Sequence, residues 1–305
     1  MRIFLAGVYS INFAQDSNLF ARLTEQEKID RMSVPWHLES YHYIHRQKHV
    51  DTIRKEKRQV FLDSGAFSSW SQGVEVDLPA YCDYIHRNKD IILHEDDAIV
   101  ASVLDKIGSD QGTYENQLEM ERRGVRPLPC FHYGEDPRYL EYYVANYSYI
   151  TLGGMVAQST PDLLIWLDEL WEKYLTDSSG RPKTKVHAFG VTTPVLMRKY
   201  PWFSVDSSSW VQVAANGGIM INERAVPVSE SSPARKVENQ HYLTLSPSQQ
   251  KAIDKIVESK GYTVDRLSKE YLARWVYNMR AYYDMHAGFK PYEEVSWKQD
   301  QMGLF

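Results

Sequence analysis

Short apolar runs that end in an acid or in paired glycines recur along the chain, and they constrain its fold more than any other feature. Residues 60–63 read Val-Phe-Leu-Asp, residues 149–154 read Tyr-Ile-Thr-Leu-Gly-Gly, and residues 203–206 read Phe-Ser-Val-Asp. A short apolar run that stops at small or acidic residues is typical of a buried strand followed by a turn. Helix-length segments separate the runs, and this alternation predicts a parallel α/β sheet.

The predicted fold is an α/β structure, a (β/α)8 TIM barrel with a C-terminal helical extension. Its predicted strands are residues 2–8, 60–62, 98–105, 126–133, 149–152, 185–191, 203–206 and 218–222. The predicted segments are a barrel over residues 1–225, a surface loop with helices packed on the barrel over residues 226–286, and a tail over residues 287–305. In such barrels the carboxyl ends of the strands meet at one face and carry the catalytic groups.

Composition narrows the class of protein. An apolar content of 43% is enough for a sizeable core, and the net charge of −5 argues weakly against a general nucleic-acid coat. We expect a cytoplasmic protein without a membrane partner, because the sequence has no apolar run long enough for a signal peptide or a membrane span.

The sequence predicts no metal site and no cofactor. Cys82 and Cys130 are the only cysteines, which excludes a zinc site built from several cysteines, and both are expected to be buried and reduced. Four histidines lie close together in a polar stretch that is expected to form an exposed helix: His37, His42, His45 and His49. We interpret them as solvated helix residues, since no fixed motif supplies carboxylate ligands beside them.

Three segments resemble, in the same order, the hallmarks of the tRNA-guanine transglycosylase family, whose members exchange guanine for a 7-deazaguanine. Residues 63–67 read Asp-Ser-Gly-Ala-Phe, similar to the family's Asp-Ser-Gly-Gly-Phe. Residues 152–155 read Leu-Gly-Gly-Met, similar to its Leu-Gly-Gly-Leu/Met. Residues 187–190 read His-Ala-Phe-Gly and precede Ser-Val-Asp at residues 204–206, as in the third hallmark.

The resemblance implies a role for each matching residue. Asp206 is the expected nucleophile, and Asp63 is the expected general acid and base of a base exchange through a covalent glycosyl intermediate. Asp105 is expected to bind the guanine edge, because a carboxylate accepts two hydrogen bonds. The other expected substrate-binding residues lie at the same predicted strand ends: Ser64, Phe67, His132, Tyr133, Gly153, Gly154 and Met155.

The chain departs from the family in three ways, one of which is Ala66 in place of a glycine. The family's zinc site of three cysteines and a histidine has no counterpart, and His132-Tyr133 stands where the family has a glutamine. Among zinc-less relatives, the chain resembles the phage-encoded enzymes that put 7-deazaguanines into DNA. This implies DNA as a partner, a base such as 7-cyano-7-deazaguanine, and the cytoplasm of a bacterial host as the location.

The last five residues, Gln-Met-Gly-Leu-Phe, resemble the peptide with which replication and repair proteins bind the bacterial sliding clamp. Gln301 would fix the orientation, Leu304 and Phe305 would enter an apolar groove, and Met302 is a further expected partner-binding residue. The alternative is a tail that packs on its own barrel. A clamp partner favours DNA over tRNA as the substrate.

Three other functions stay open from the sequence. The chain could be a zinc-less tRNA-guanine transglycosylase, or a DNA glycosylase or nucleosidase that uses the same two acids with water as the acceptor. It could also be a non-catalytic DNA-binding barrel. The presence of both Asp63 and Asp206 argues against the last function, because a binding protein has no need of either acid.

Overall fold

A computed structural model describes residues 1–96, 98–156 and 158–297 of the chain. The four residues of the expected clamp peptide, Gln301, Met302, Leu304 and Phe305, lie outside these ranges. Contacts between Cα atoms group the chain into two compact units. Unit 1 comprises Met1–Ala14, Trp36–Ser207 and the described residues from Phe289 onward, and unit 2 comprises Gln15–Pro35 and Ser208–Gly288. Within the described ranges, no helix has the length and apolar character needed to cross a membrane.

The strands and helices of the described residues follow in chain order. The strands are β1 (Arg2–Ala6), β2 (His37–Ser40), β3 (Val60–Asp63), β4 (His94–Glu95), β5 (Ala98–Ile99), β6 (Cys130–His132), β7 (Tyr149–Gly153), β8 (Lys185–Ala188), β9 (Ser204–Ser207), β10 (Gly218–Ile221) and β11 (Arg224–Pro227). The helices are α1 (Asn18–Ala21), α2 (Glu25–Ser33), α3 (Tyr41–Ile44), α4 (Gln47–Lys55), α5 (Ala66–Ser71), α6 (Leu78–Arg87), α7 (Asp110–Arg122), α8 (Pro137–Asn146), α9 (Thr160–Leu170), α10 (Pro194–Lys199), α11 (Ser209–Ala215), α12 (Pro247–Ser259), α13 (Val264–Lys269) and α14 (Tyr271–His286).

Unit 1 is an α/β structure built on a parallel sheet with the strand order β3-β2-β1-β9-β8-β7-β6. This sheet is curled. The ring of Phe61 on β3 lies 4.5 Å from the ring of His187 on β8, although β2, β1 and β9 separate these strands in the sheet. Phe4 on β1 contacts both rings, at 5.6 and 6.0 Å. Side chains from distant strands therefore meet on the concave face and form its core.

Residues 100–103 hydrogen-bond on both sides to segments of this sheet. Leu62 on β3 donates to the carbonyl of Val100 at 3.0 Å and accepts from the amide of Ser102 at 2.9 Å. Leu128, just before β6, accepts from the amide of Val103 at 2.9 Å and donates to the carbonyl of Ala101 at 2.8 Å. Both contacts are parallel bridges. The segment thus pairs with Leu62 of β3 at one end of the sheet and with Leu128, just before β6, at the other end.

Helix α9 shows how the local sequence sets an element. The Ser159 hydroxyl accepts a hydrogen bond from the amide of Asp162, and a proline occupies the first turn, as the Ser-Thr-Pro sequence predicts. Leu163, Leu167 and Leu170 are buried at helical spacing. The helix continues into a π-helical turn at Trp171–Leu175.

Unit 2 consists of helices and a two-stranded hairpin. Its core contains Ile219 and Ile221 of β10 together with Val257, Leu267 and Tyr277. The Asn278 side chain on α14 joins three backbone groups: it accepts from the amide of Met220 at 2.9 Å and donates to the carbonyls of Trp210 and Gly218 at 3.1 and 3.2 Å. A buried amide satisfied in this way fixes the hairpin against α11 and α14.

Three predictions about the elements were wrong. Residues 218–222 are not a strand of the parallel sheet, because β10 pairs antiparallel with β11 in a hairpin. The strand β2 was missed, and it contributes a buried His37 where a solvated helix was expected. In the predicted strand 98–105, only Ala98–Ile99 is regular strand, and it pairs antiparallel with β4. The sheet-facing contacts of that stretch come from residues 100–103 instead.

Candidate active site

Three acids lie at the carboxyl ends of the curled sheet. Asp63 is the last residue of β3, Asp206 lies on β9, and Asp105 follows the bridging segment 100–103. Alternate residues of a strand share one face, so Asp63 lies on the same face as Phe61, whose ring is in the concave core. Asp206 likewise shares a face with Ser204. The two strand acids therefore point to the inside of the curl.

The carboxylate of Asp63 is held at both oxygens. The amide of Gly65 donates to Oδ2 at 3.0 Å, and the Ser102 hydroxyl donates to Oδ1 at 3.4 Å. Burial, followed by the negative charges of Asp105 and Asp206, raises the pKa of Asp63 to about 7, and the Gly65 hydrogen bond opposes this shift. An acid with this pKa can both give and take a proton at neutral pH.

A chain of buried polar groups leads to Asp206. The hydroxyls of Tyr149 and Ser204 lie 2.6 Å apart, and Ser204 Oγ lies 2.7 Å from Nδ1 of His187. His187 Nε2 faces Oδ1 of Asp206 at 3.4 Å, and it is buried without a closer hydrogen-bond partner among the described residues. The amide of Gly190 donates to the same Oδ1 at 2.7 Å.

Burial sets the charge state of His187 within this series of hydrogen-bonded groups. It lowers the pKa of His187, and the nearby Asp206 carboxylate only partly offsets the effect, so the ring is neutral. If Ser204 donates to Nδ1, the proton of the neutral ring lies on Nε2 and points toward Asp206. The chain from Tyr149 would then select one tautomer and present a donor to one carboxylate oxygen, leaving the other oxygen available.

A second cluster surrounds His132 at the end of β6. Its Nε2 lies 3.4 Å from Sγ of Cys130 and 3.4 Å from Oδ2 of Asp105. Its Nδ1 lies 2.9 Å from Oε1 of Glu135, whose Oε2 accepts from the His132 amide at 2.8 Å. Burial disfavours the charged ring, but Cys130 and Asp105 outweigh this effect and raise the pKa of His132. The cluster therefore favours a positive charge at this position.

The paired glycines after β7 make room for His132. A Cβ on Gly153 would lie 2.8 Å from His132 Cδ2 and 3.1 Å from Cys130 Sγ. Gly154 has a φ of +71°, and a Cβ there would lie 3.0 Å from the amide nitrogen of Tyr133. The carbonyl of Gly153 already accepts a hydrogen bond from that amide. These glycines thus permit the close approach of the His132-Tyr133 segment.

The other expected substrate-binding residues differ in exposure. Ser64 is fully buried and its amide donates to the Ser102 hydroxyl at 2.8 Å, and Met155 is 3% exposed. Tyr133 is half-buried, with its ring 5.1 Å from that of Trp166. Phe67 on α5 is 69% exposed and faces solvent. Phe67 is therefore available to a large ligand but is not part of an enclosed base pocket in this conformation.

A cleft of about 830 Å³ opens beside Asp105. Its lining also includes Ala66 and Trp70 of α5, and Lys106 and Asn116. The volume is within the range of small-molecule sites. The lining combines a carboxylate with an aromatic ring, two groups that bind the edge and the face of a base.

Sequence reasoning did not assign a role to Cys130, Glu135, His187 or Ser204. For two of these residues the signal was positional: Ser204 lies two residues before Asp206, and Cys130 lies two residues before His132. Residues at a spacing of two share a face of a strand, so the face that carries one site residue carries its neighbours as well. Alternation therefore places Ser204 on the face of Asp206 and Cys130 on the face of His132, but it does not account for His187 or Glu135.

No protein-family model matches the chain, and no curated protein matches it. The case for a function therefore rests on the geometry of the strand-end acids and on the motifs that contain them.

Proposed function

We propose that this protein is a base-exchange transglycosylase that replaces guanine in DNA with a 7-deazaguanine. The observation that supports this most is the pair of acids inside one curled sheet, Asp63 and Asp206. They differ in environment: Asp63 has a pKa of about 7, while one oxygen of Asp206 is held by the Gly190 amide. Two carboxylates with separate environments suit the roles of proton carrier and nucleophile.

The proposal includes a closed (β/α)8 barrel. Residues 100–103 would be its fourth strand, between β3 and β6, and β1, β2, β7, β8 and β9 would complete the ring. The hydrogen bonds of this segment to Leu62 and Leu128 support the closure. In such a barrel all the strand-end groups described here face one opening, where catalytic residues of this fold lie.

In the first chemical step, Asp206 attacks C1′ of a deoxyguanosine that has left the base stack. Flipping a nucleotide out of a duplex costs a few kcal/mol. The bond from C1′ to N9 of guanine breaks as the bond from C1′ to the Asp206 carboxylate forms. Asp63 donates the proton that the leaving guanine takes, because its raised pKa keeps part of the population protonated at neutral pH.

In the second step, the incoming 7-deazaguanine gives its N9 proton to the Asp63 carboxylate. The N9 nitrogen attacks C1′, the ester to Asp206 breaks, and the configuration of the sugar is retained after two inversions. Exchange without hydrolysis requires that water does not reach the ester. A covalent intermediate makes this possible, since the enzyme holds the sugar while one base replaces the other.

The residues around the two acids position them and the base. His187, with its proton on Nε2, orients Asp206 through Oδ1 and leaves Oδ2 for the attack. Asp105, which lies beside His132, accepts hydrogen bonds from the guanine edge, and Tyr133 and Met155 would contact the base. Phe67 contacts the substrate from outside the pocket, since it faces solvent. No cofactor takes part in this reaction scheme.

The choice of DNA over tRNA rests on the sequence. The resemblance of residues 301–305 to a clamp-binding peptide favours a protein that works on DNA, in the cytoplasm of a bacterial host. Gln301, Met302, Leu304 and Phe305 would recruit the sliding clamp as a partner. The tRNA activity is the competing possibility, and the experiment that follows separates the two.

The test measures uptake of labelled guanine and of a labelled 7-deazaguanine by duplex DNA, single-stranded DNA and tRNA. Asp206→Asn is the inactive control, and Asp162→Asn, at an exposed position of α9, is a control of the same substitution type. The proposal predicts label in DNA with the wild-type protein and with Asp162→Asn only. Label in tRNA alone would make it a tRNA enzyme. Release of free guanine without uptake would make it a glycosylase, and no reaction at all would contradict catalysis.

A further inference from the structure

We propose that Asp105, Cys130 and His132 form a binding site for one zinc ion. The three residues offer a carboxylate oxygen, a sulfur and an imidazole nitrogen that all lie within 4.8 Å of one another. They are the only such group of three or more within the described ranges. This inference does not rest on the proposed function, and it departs from the sequence-based expectation of a protein without a metal.

Two of the three separations between ligand atoms match a tetrahedral metal site, and the third is within 4.8 Å. With Zn–N near 2.0 Å and Zn–S near 2.3 Å, tetrahedral ligand atoms lie about 3.3–3.6 Å apart. His132 Nε2 lies 3.4 Å from Cys130 Sγ and 3.4 Å from Asp105 Oδ2. The Nε2–Oδ2 separation is long for an N–H···O hydrogen bond, whereas the Nε2–Sγ separation is also an ordinary length for a hydrogen bond to sulfur. A cation between the three atoms satisfies all of them together.

Glu135 provides the support that a metal-binding histidine needs. Metal-bound histidines commonly donate their second ring N–H to a carboxylate, which fixes the tautomer and the ring orientation. His132 Nδ1 lies 2.9 Å from Glu135 Oε1, and the backbone amide of His132 holds Oε2 at 2.8 Å. The proton of a neutral His132 is thereby placed on Nδ1, and the lone pair of Nε2 points toward Cys130 and Asp105.

The surroundings of Asp105, Cys130 and His132 bring these side chains close together and shield them from water. Cys130 is 1% exposed, and Asp105 Oδ1 is buried without a hydrogen-bond partner among the described residues. Gly153 is required at its position, because a Cβ would come within 2.8 Å of His132 and 3.1 Å of Cys130 Sγ. A buried carboxylate oxygen without a partner is costly unless a cation or a donor stands nearby.

The donor set selects the metal. Thiolate and imidazole ligands favour zinc over magnesium and calcium, which prefer oxygen. Three protein ligands leave a fourth position open for water or for a ligand atom, as in catalytic zinc sites. A carboxylate has about four lone-pair sites, so coordination through Oδ2 leaves Asp105 able to accept a further hydrogen bond.

The competing arrangement is a protonated His132 paired with Asp105 and Glu135, with Cys130 as a thiol. The two arrangements differ in whether the sulfur binds a metal, and cobalt(II) reports this directly through its thiolate charge-transfer absorption. The chain offers a matched control in Cys82, its other cysteine, which is also buried. Glu135→Gln tests the supporting carboxylate without removing a ligand.

Full-length protein is stripped with a chelator and loaded with zinc chloride or cobalt(II) chloride, then freed of loosely bound metal. We expect one zinc per chain, and a cobalt–thiolate band that Cys130→Ser abolishes and Cys82→Ser retains. Asp105→Asn should keep the band and weaken zinc binding at least tenfold. Glu135→Gln should weaken it by about 10- to 100-fold.

Circular dichroism separates loss of the site from loss of the fold. A folded wild-type protein that takes up no zinc and shows no cobalt–thiolate band overturns the proposal, and so does an equal band in folded Cys130→Ser. If Cys130→Ser does not fold, Asp105→Asn and Glu135→Gln decide, and unchanged zinc affinity in both overturns it. Because no readout uses base exchange, failure of the proposed function leaves this result unaffected.

Discussion

Replacing Asp63 with asparagine should change how the stability of the protein depends on pH. The unfolded carboxyl loses its proton near pH 3.8, whereas burial and the charges of Asp105 and Asp206 hold the folded pKa at about 7. Between these values the folded state binds one more proton than the unfolded state. Asp63 therefore destabilises the fold increasingly as pH rises from about 4 to about 7, and the cost is constant above that.

The size of the effect follows from the two pKa values. A tenfold change in a protonation equilibrium is worth about 1.4 kcal/mol, so the difference between 3.8 and about 7 corresponds to about 4 kcal/mol. Asp63→Asn carries no such cost. Its free energy of unfolding, relative to wild type, should therefore rise by about 4 kcal/mol between pH 4 and pH 8.

Urea unfolding at pH 4, 6 and 8 measures this difference, with a chelator present because a cation bound at Asp105 would lower the pKa of Asp63. Asp83→Asn, which removes an exposed carboxylate on α6, reports the effect of the substitution itself. Equal relative stabilities of Asp63→Asn at pH 4 and pH 8 would refute the account of a desolvated Asp63. A change of the opposite sign would mean that Asp63 is stabilised as a carboxylate.

Three further predictions concern the support of the site and the tail. Ser204→Ala removes the hydroxyl between Tyr149 and His187, so the ring of His187 is no longer held in the tautomer that donates to Asp206. The kcat should fall about tenfold to a hundredfold with little change in KM, which is about 1.4–2.7 kcal/mol in the barrier, and an unchanged kcat would remove His187 from the mechanism. Gly65→Ala should lower the free energy of unfolding by more than Gly73→Ala, because both glycines have positive φ but only a Cβ on Gly65 meets other atoms, at 2.6 Å from the Cβ of His42. Equal losses in urea unfolding would contradict the contact. Removing residues 304–305 should weaken sliding-clamp binding at least tenfold in a titration, since a buried Leu or Phe contributes roughly 1.5–3 kcal/mol. Exchange on short oligonucleotides should be unchanged, and its loss would mean that the tail is structural.

The strand ends that carry the acids could be predicted because each follows an apolar run. The strand β3 ends at Asp63, β7 ends at Gly153, and β9 contains Asp206, as the sequence indicates. Their positions after apolar runs therefore identified the residues that lie at the carboxyl ends of the curled sheet. It did not identify the network behind them, since the partners of His187, which are Ser204 and Asp206, lie on another strand.

The missed strand β2 has a physical explanation. Its sequence is His-Leu-Glu-Ser, and the pattern of a simple half-buried strand would bury Leu38 and expose His37 and Glu39. His37 and Glu39 are nonetheless fully buried, and Glu39 accepts hydrogen bonds from the amides of Tyr9 and Ser10 at 2.7 and 3.1 Å. Those partners lie about thirty residues away in sequence, so no local pattern predicts that a carboxylate buried here has hydrogen-bond donors.

The misplaced strand at residues 218–222 has a different cause. Its apolar run is a real strand, but Asn222 and Glu223 both adopt positive φ, at 47° and 65°. Two successive residues with positive φ form the tight turn of a hairpin, and asparagine is favoured there. The turn sends the chain back antiparallel, so β10 cannot join a parallel sheet. Apolar content predicted the strand, and the turn geometry decided its partner.

The most direct test of the central claim is to trap a covalent intermediate on Asp206. The protein is mixed with a guanine-containing oligonucleotide without an incoming base, quenched in denaturant, and analysed by intact mass and peptide mapping. Wild-type protein should give an adduct with the mass of protein plus oligonucleotide minus guanine, attached at Asp206, and Asp206→Asn should give none. An adduct at the wild-type level in Asp206→Asn, or base exchange by wild-type protein with no adduct under any quench, would contradict the mechanism.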